Sequence, residues 1–175
     1  MKKICLIVFI VLGGHLNTPA PILDGEYKNN RFEQIVKVIE EEIAFNKKVD
    51  LLLQTIKIVE SEGDYTIKGK SGEIGAYQFT RATYRMYSYL YFKELLPMTP
   101  ENQDKIARKK IENLVKAGFT DSEIASFWNS GSPEWEGKIG INKYGVKYNV
   151  PKYVENFNKT IKKLNTICNE QRILL

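Results

Sequence analysis

Apolar residues recur at helical spacing over most of the chain. Phe32, Ile35, Val36, Ile39 and Ile43 alternate with Lys and Glu in a period that predicts an amphipathic helix. Asp50 reads as the N-cap of a second helix, Leu51 to Ser61. That stretch carries Leu51, Leu52, Leu53, Ile56, Ile58 and Val59, so it should be largely buried. The pattern breaks over 62–79. Gly63, Gly69, Gly72 and Gly75 punctuate Tyr65, Ile67, Ile74, Tyr77 and Phe79, and Gly-Lys-Ser-Gly between alternating residues suggests turns and a short hairpin. Helices then resume. Thr80 caps a Tyr-rich helix that ends before Pro97. Thr99-Pro100 opens another, which runs to about Ala117 with Gly118 at its C′ position. Thr120 to Glu123 is a capping box ahead of Ile124-Ala-Ser-Phe-Trp. Residues 130–149 read as Gly-rich loop. Pro151 opens a last helix with Val154, Phe157, Ile161, Leu164 and Cys168 on one stripe. The expected fold class is mainly α, a helical domain with a small β-hairpin insert.

The first residues do not belong to this pattern. Met1-Lys2-Lys3 precedes an unbroken apolar run of nine residues, Ile4 to Leu12, and Gly13-Gly14 follows. That order matches a secretory signal, and the run is too short to span a bilayer, which takes about 20 residues. Residues 1–20 are therefore expected to be a signal peptide or N-terminal anchor. Residues 21–30 are expected to be a linker and 31–175 the functional domain. The expected location is outside the cytoplasm, in the periplasm, cell envelope or medium. Membrane contact is expected only through the N-terminal segment.

Composition narrows the chemistry. The 175 residues include 26 Lys+Arg and 21 Asp+Glu, for a net charge of +5. Loss of Lys2 and Lys3 with the leader would leave 5 − 2 = +3. A mild positive charge suits an anionic cell envelope. The lysines are scattered among acids, so no basic nucleic-acid face is expected. With 2 Cys, no CxxC and 1 His, neither a disulfide framework, a His-rich metal site nor a Ser-His-Asp triad is expected. No metal and no cofactor are expected, and the chain is expected to act as a monomer. The chemistry must then rest on carboxylates, hydroxyls, amides or lysines.

Glu60 is the first candidate. It follows Ile56, Ile58 and Val59 at the end of an apolar helix, and a glycine-rich segment able to wall a cleft comes next. Burial penalises the charged carboxylate, so a glutamate there would keep its proton near neutral pH and could act as a general acid. Glu73, 13 residues on, is a possible second carboxylate, able to activate water or to act as a nucleophile, or else a solvent-facing turn residue. Glu62 and Asp64 read as turn or surface charges. Tyr84, Tyr87, Tyr89 and Tyr91 crowd one helix and must point in different directions, as core, rim or saccharide-stacking rings.

Four segments occur in a telling order: Glu60-Ser61, then Ser71-Gly72-Glu73-Ile74-Gly75-Ala76-Tyr77-Gln78-Phe79, then Trp128-Asn129-Ser130-Gly131, then Tyr153-Val154. Over about residues 50–160 this order resembles the lytic transglycosylase and goose-type lysozyme group of the lysozyme superfamily, its soluble lytic transglycosylase branch in particular. The resemblance implies a lysozyme-like α+β fold with the hairpin beside the active-site cleft. It implies that Glu60 is the single catalytic acid, with Ser61 beside the reacting sugar and Gln78 lining the glycan cleft. Trp128 stands where the group usually has Tyr, Asn129 matches an Asn bordering the cleft, and Tyr153 matches the Tyr of the last helix. Two departures stand out. Gly-Ala-Tyr-Gln replaces Gly-Leu-Met-Gln, and Trp128 lacks the hydroxyl a Tyr would bring, although its ring can stack on a sugar.

The activity so implied is cleavage of the β-1,4 bond between N-acetylmuramic acid and N-acetylglucosamine in peptidoglycan, giving a 1,6-anhydro product. The partner is then a glycan strand. One carboxylate suffices for this route. The alternatives are a hydrolase of the lysozyme type, in which a second carboxylate such as Glu73 helps water attack, and a non-catalytic glycan-binding module of a secretion or conjugation machine.

Overall fold

The computed structural model describes residues 25–142 and 144–173. The expected signal or anchor over 1–20 lies outside the described residues, as do His15 and Cys5. The described residues form α1 (Gly25–Ser61), β1 (Glu73–Ile74), β2 (Phe79–Thr80), α2 (Arg81–Phe92), α3 (Pro100–Lys116), α4 (Asp121–Ser130), β3 (Ile139–Ile141), β4 (Lys147–Asn149) and α5 (Val150–Ile173). The architecture is mainly helical, with two small antiparallel hairpins, as the sequence pattern implies at the level of fold class. Among the described residues no helix is long and apolar enough to cross a membrane.

The chain divides into two compact units, Met1–Glu41 and Glu42–Leu175. In the first, residues 25–41 are helical, and Phe32, Ile35 and Val38 on that stretch are exposed. The expected linker over 21–30 is thus replaced by helix from Gly25 onward. The two helices expected on either side of Asp50 are also a single element. No Gly or Pro occurs between 26 and 62, so nothing interrupts the ladder of backbone bonds. Asp50 is not a cap. It sits inside the helix and pairs with Arg108 of α3.

The second unit is built around one core. Val49, Leu52, Leu53 and Ile56 of α1 are buried, with Ile106 and Ile111 of α3, Ile124 of α4, and Val154, Phe157 and Ile161 of α5. Each such side chain withdrawn from water stabilises the fold by roughly 1.5–3 kcal/mol. Ile58, expected inside, is 38% exposed. The helix starts follow their local signals. Thr80 accepts from the Thr83 N–H, Thr99 caps α3 ahead of Pro100, and Thr120 and Glu123 form the reciprocal capping box. Asn149 accepts from the Lys152 N–H at the head of α5.

The 62–79 segment folds as expected. Glu73 pairs with Thr80 and Ile74 with Phe79, and Gly69 to Gly72 form the preceding turn. The expected loop over 130–149 instead contains the β3–β4 hairpin, with Ile139 opposite Asn149 and Ile141 opposite Lys147. Its turn is held by Asn142, whose side-chain oxygen accepts from the Tyr144 and Val146 N–H groups. Ile139-Gly-Ile141 carries the period-two signal of a strand, but the surrounding glycines mask it.

Candidate functional site

The last turn of α1 sets the site. Glu62 and Gly63, both left-handed, reverse the chain just beyond Glu60-Ser61. The Ser61 hydroxyl, buried, donates to the Ala76 carbonyl at 2.9 Å and accepts from the Gly63 N–H at 3.2 Å. On its other side Ala76 donates its N–H to Gln103 Oε1 at 3.1 Å. The end of α1, the β1–β2 loop and α3 are thereby fastened through one residue. Gly75 makes this possible. Its φ is +82°, and a Cβ there would stand 2.0 Å from Gln103 Oε1.

Glu60 sits at the end of α1 beside that fastened turn and is partly accessible. Its Oε1 accepts a 2.7 Å hydrogen bond from the Tyr153 hydroxyl of α5. Burial raises its pKa from the usual 4.5 to about 7. The Tyr153 bond and the positive charge of Lys110 pull the other way, and the negative charge of Glu73 adds to the rise. The carboxyl is therefore divided between acid and carboxylate near neutral pH. It can give a proton and take one back, which is what general acid–base catalysis asks of a single group.

The other sequence-derived candidates divide. Glu73 lies close enough for its charge to act on Glu60, while its Oε2 accepts from the Ser71 N–H at 2.9 Å. Tyr153 is brought directly to Glu60. Gln78, with φ +48°, turns its amide back on the loop and donates from Nε2 to the Gly75 carbonyl at 2.8 Å. Trp128 sits against Tyr77 and Phe79, with ring centroids 5.8 and 5.4 Å away. Asn129 is exposed at the end of α4, and Ser61 is engaged with backbone groups. Of the tyrosines, Tyr84 is buried and donates to the Pro97 carbonyl, Tyr87 stacks on Tyr91 at 5.4 Å, and Tyr89 is exposed.

Two polar residues that the pattern analysis passes over belong to this site: Gln103 and Lys110. Both occupy the inward stripe of α3 with Ile106, Ala107 and Ile111. Lys110 Nζ lies 4.3 Å from the Trp128 ring centroid and 5.2 Å from that of Tyr87. Burial lowers its pKa from 10.5 to about 8, opposed by the Glu60 charge. The signal for both was a polar residue at a position where the helical period calls for an apolar one.

A cavity of about 610 Å³ lies along α1, lined by Asp50, Leu53, Lys57, Tyr77, Asp104 and Arg108 among others, but not by Glu60. Its polar groups are mutually engaged. Tyr65 and Tyr77 donate to Asp104 Oδ1 at 2.6 and 2.8 Å, and Lys57 stands 3.4 Å from the same oxygen. Among the described residues no group of three or more His, Cys, Asp or Glu could hold a metal ion. No protein family, curated protein or solved structure matches the chain.

Proposed function

We propose that the chain is a peptidoglycan lytic transglycosylase with Glu60 as its general acid and base. One observation carries this reading: a half-buried glutamate, hydrogen-bonded by Tyr153, whose pKa burial raises to about 7. Glu60 donates that proton to the glycosidic oxygen, and the bond to C1 of N-acetylmuramic acid breaks with its electron pair left on the leaving oxygen. As the oxocarbenium-like centre collapses, the C6 hydroxyl of the same sugar attacks C1. The Glu60 carboxylate takes the hydroxyl proton, closing a 1,6-anhydro ring and restoring the acid. The ordered segments from Glu60 to Tyr153 and the apolar leader-like run at the start of the chain support a substrate in the cell envelope.

A second reading is favoured by Glu73, whose charge reaches Glu60. In it water attacks C1 with help from Glu73, and the product is a hydrated reducing end. Mass spectrometry of fragments released from purified cell walls separates the two. An anhydro end supports the transglycosylase, and a hydrated end as sole product overturns it. If neither wild type nor Glu60→Gln releases fragments, a non-catalytic glycan-binding module becomes the better account.

A further inference from the structure

The groove between α1 and α3 is a site in its own right. Asp50, Leu53 and Lys57 of α1 line the cavity of about 610 Å³, a volume in the range of ligand clefts. With Glu60 they follow one another at intervals of three and four residues, so all four share one face of the helix. Glu101, Asp104, Lys105 and Arg108 form a lining stripe of the same spacing on α3. The two stripes run in opposite directions, since Arg108 meets Asp50 and Asp104 meets Lys57. The cavity therefore begins within one helical turn of Glu60 and reaches back to Asp50, about 15 Å along the axis at 1.5 Å per residue. Along this length the charges are ordered, with Glu101 and Asp104 toward the Glu60 end and Lys105 and Arg108 toward the Asp50 end. They keep capacity beyond their internal pairs. The Tyr65, Tyr77 and Lys57 contacts of Asp104 all fall on Oδ1, and a carboxylate accepts at both oxygens. Arg108 meets Asp50 through Nη2, one corner of a guanidinium with five donors. Lys105 has no ion pair among the described residues, and its Nζ rests 4.6 Å from the Phe92 ring centroid.

We propose that this groove binds a short amphoteric peptide, the one that hangs from the muramic acid, holding an ammonium group at Glu101 and Asp104 and a terminal carboxylate at Lys105 and Arg108. The inference deepens the reaction proposed above and rests on that reading. In peptidoglycan the lactyl group of N-acetylmuramic acid carries a short peptide with a diamino acid inside it and a free carboxylate at its end. Four extended residues span about 13 Å, close to the length of the groove beyond Glu60. The order of charge along the groove is the order along the peptide, amine nearer the sugar and terminal carboxylate farther out. Lys57, one turn from Glu60, faces the free carboxylate of the peptide's second residue. An anionic ligand alone would meet the acids at the near end, and a cationic one the bases at the far end. Charge complementarity sets register more than strength, so the peptide fixes which way the glycan strand lies against Glu60.

The test is isothermal titration calorimetry on the full chain with the sugar-free tetrapeptide L-Ala-γ-D-Glu-L-Lys-D-Ala, its C-terminal amide and its Nε-acetyl form. Wild type should bind the free peptide, and either modification should weaken binding about tenfold, the loss of one charge-assisted contact. Lys105→Met and Arg108→Met should each weaken the free peptide roughly three- to tenfold and leave the amide almost unaffected. Glu101→Gln should behave in the same way toward the free peptide and the acetyl form. Lys105→Met breaks no ion pair, so it reads the site even where Arg108→Met fails to fold. No binding at millimolar peptide, binding that neither modification weakens, or variants that weaken modified and free peptides equally would overturn the site. Peptide binding that obeys these changes in a protein that releases no wall fragments upholds the site and overturns the reaction. Fragment release without peptide binding overturns the site and leaves the reaction standing.

Discussion

Replacing Glu60 with Gln should stabilise the protein in alkali and leave it almost unchanged in acid. An unfolded glutamate ionises near 4.5, while the folded one holds its proton to about pH 7. Between these values the folded state binds the additional proton, so stability falls as pH rises through the window and stays lower above it. The gap from 4.5 to about 7 converts, at 1.36 kcal/mol per pKa unit, to about 3 kcal/mol held against the wild type at pH 8.5. Glutamine has the same shape, still accepts from Tyr153 and cannot ionise, so it escapes that cost. For a chain of this size about 3 kcal/mol corresponds to a Tm difference of roughly 6–12 °C. Thermal unfolding of both proteins at pH 4.0 and pH 8.5 is the assay. The variant should melt near wild type at pH 4.0 and well above it at pH 8.5. An equal offset at both pH values, or a variant less stable at pH 8.5, refutes the argument that burial holds this carboxyl's proton.

Other outcomes follow from the same geometry. Tyr153→Phe removes a hydrogen bond that favours the ionised form. The Glu60 midpoint and the alkaline limb of the pH–activity profile should rise by about one unit, since bonds to charged groups contribute about 1.5–3 kcal/mol; a midpoint that stays or falls would be contrary. Gly75→Ala places a Cβ against Gln103 at a φ of +82° and should cost about 2 kcal/mol or more in urea unfolding, whereas a loss below about 0.5 kcal/mol would show that the loop adapts freely. Ser61→Ala leaves the Ala76 carbonyl without its buried donor and should cost about 1–3 kcal/mol in the same assay, and a variant as stable as wild type would remove Ser61 from the fastening of this turn.

What the sequence discloses and what it conceals follow from the range of the interactions. Helix starts at Thr80, Thr99 and Thr120 depend on partners three residues away, so they can be read directly. The Gly-Lys-Ser-Gly turn is local in the same sense. Asp50 misleads because a carboxylate before an apolar run looks like a cap, and its actual partner, Arg108, lies 58 residues off. The acid at the end of α1 is suggested by its apolar neighbours, but the source of its tuning is remote. Tyr153 lies 93 residues away and Lys110 on a different helix. Lysine is ordinarily a surface residue, so Lys110 passes as part of a solvated face until the rings around it are seen. Ser61 shows the reverse case. The resemblance implies a place beside the sugar, and the fold engages its hydroxyl with the backbone.

The most direct measurement is soluble fragment release from purified peptidoglycan at pH 6, comparing equal amounts of folded wild type and Glu60→Gln. Loss of a general acid–base group costs about 10²-fold or more in rate. The account calls for steady release by wild type and at least that loss in the variant. Equal release by both proteins would contradict it, because the bond would then be broken without Glu60.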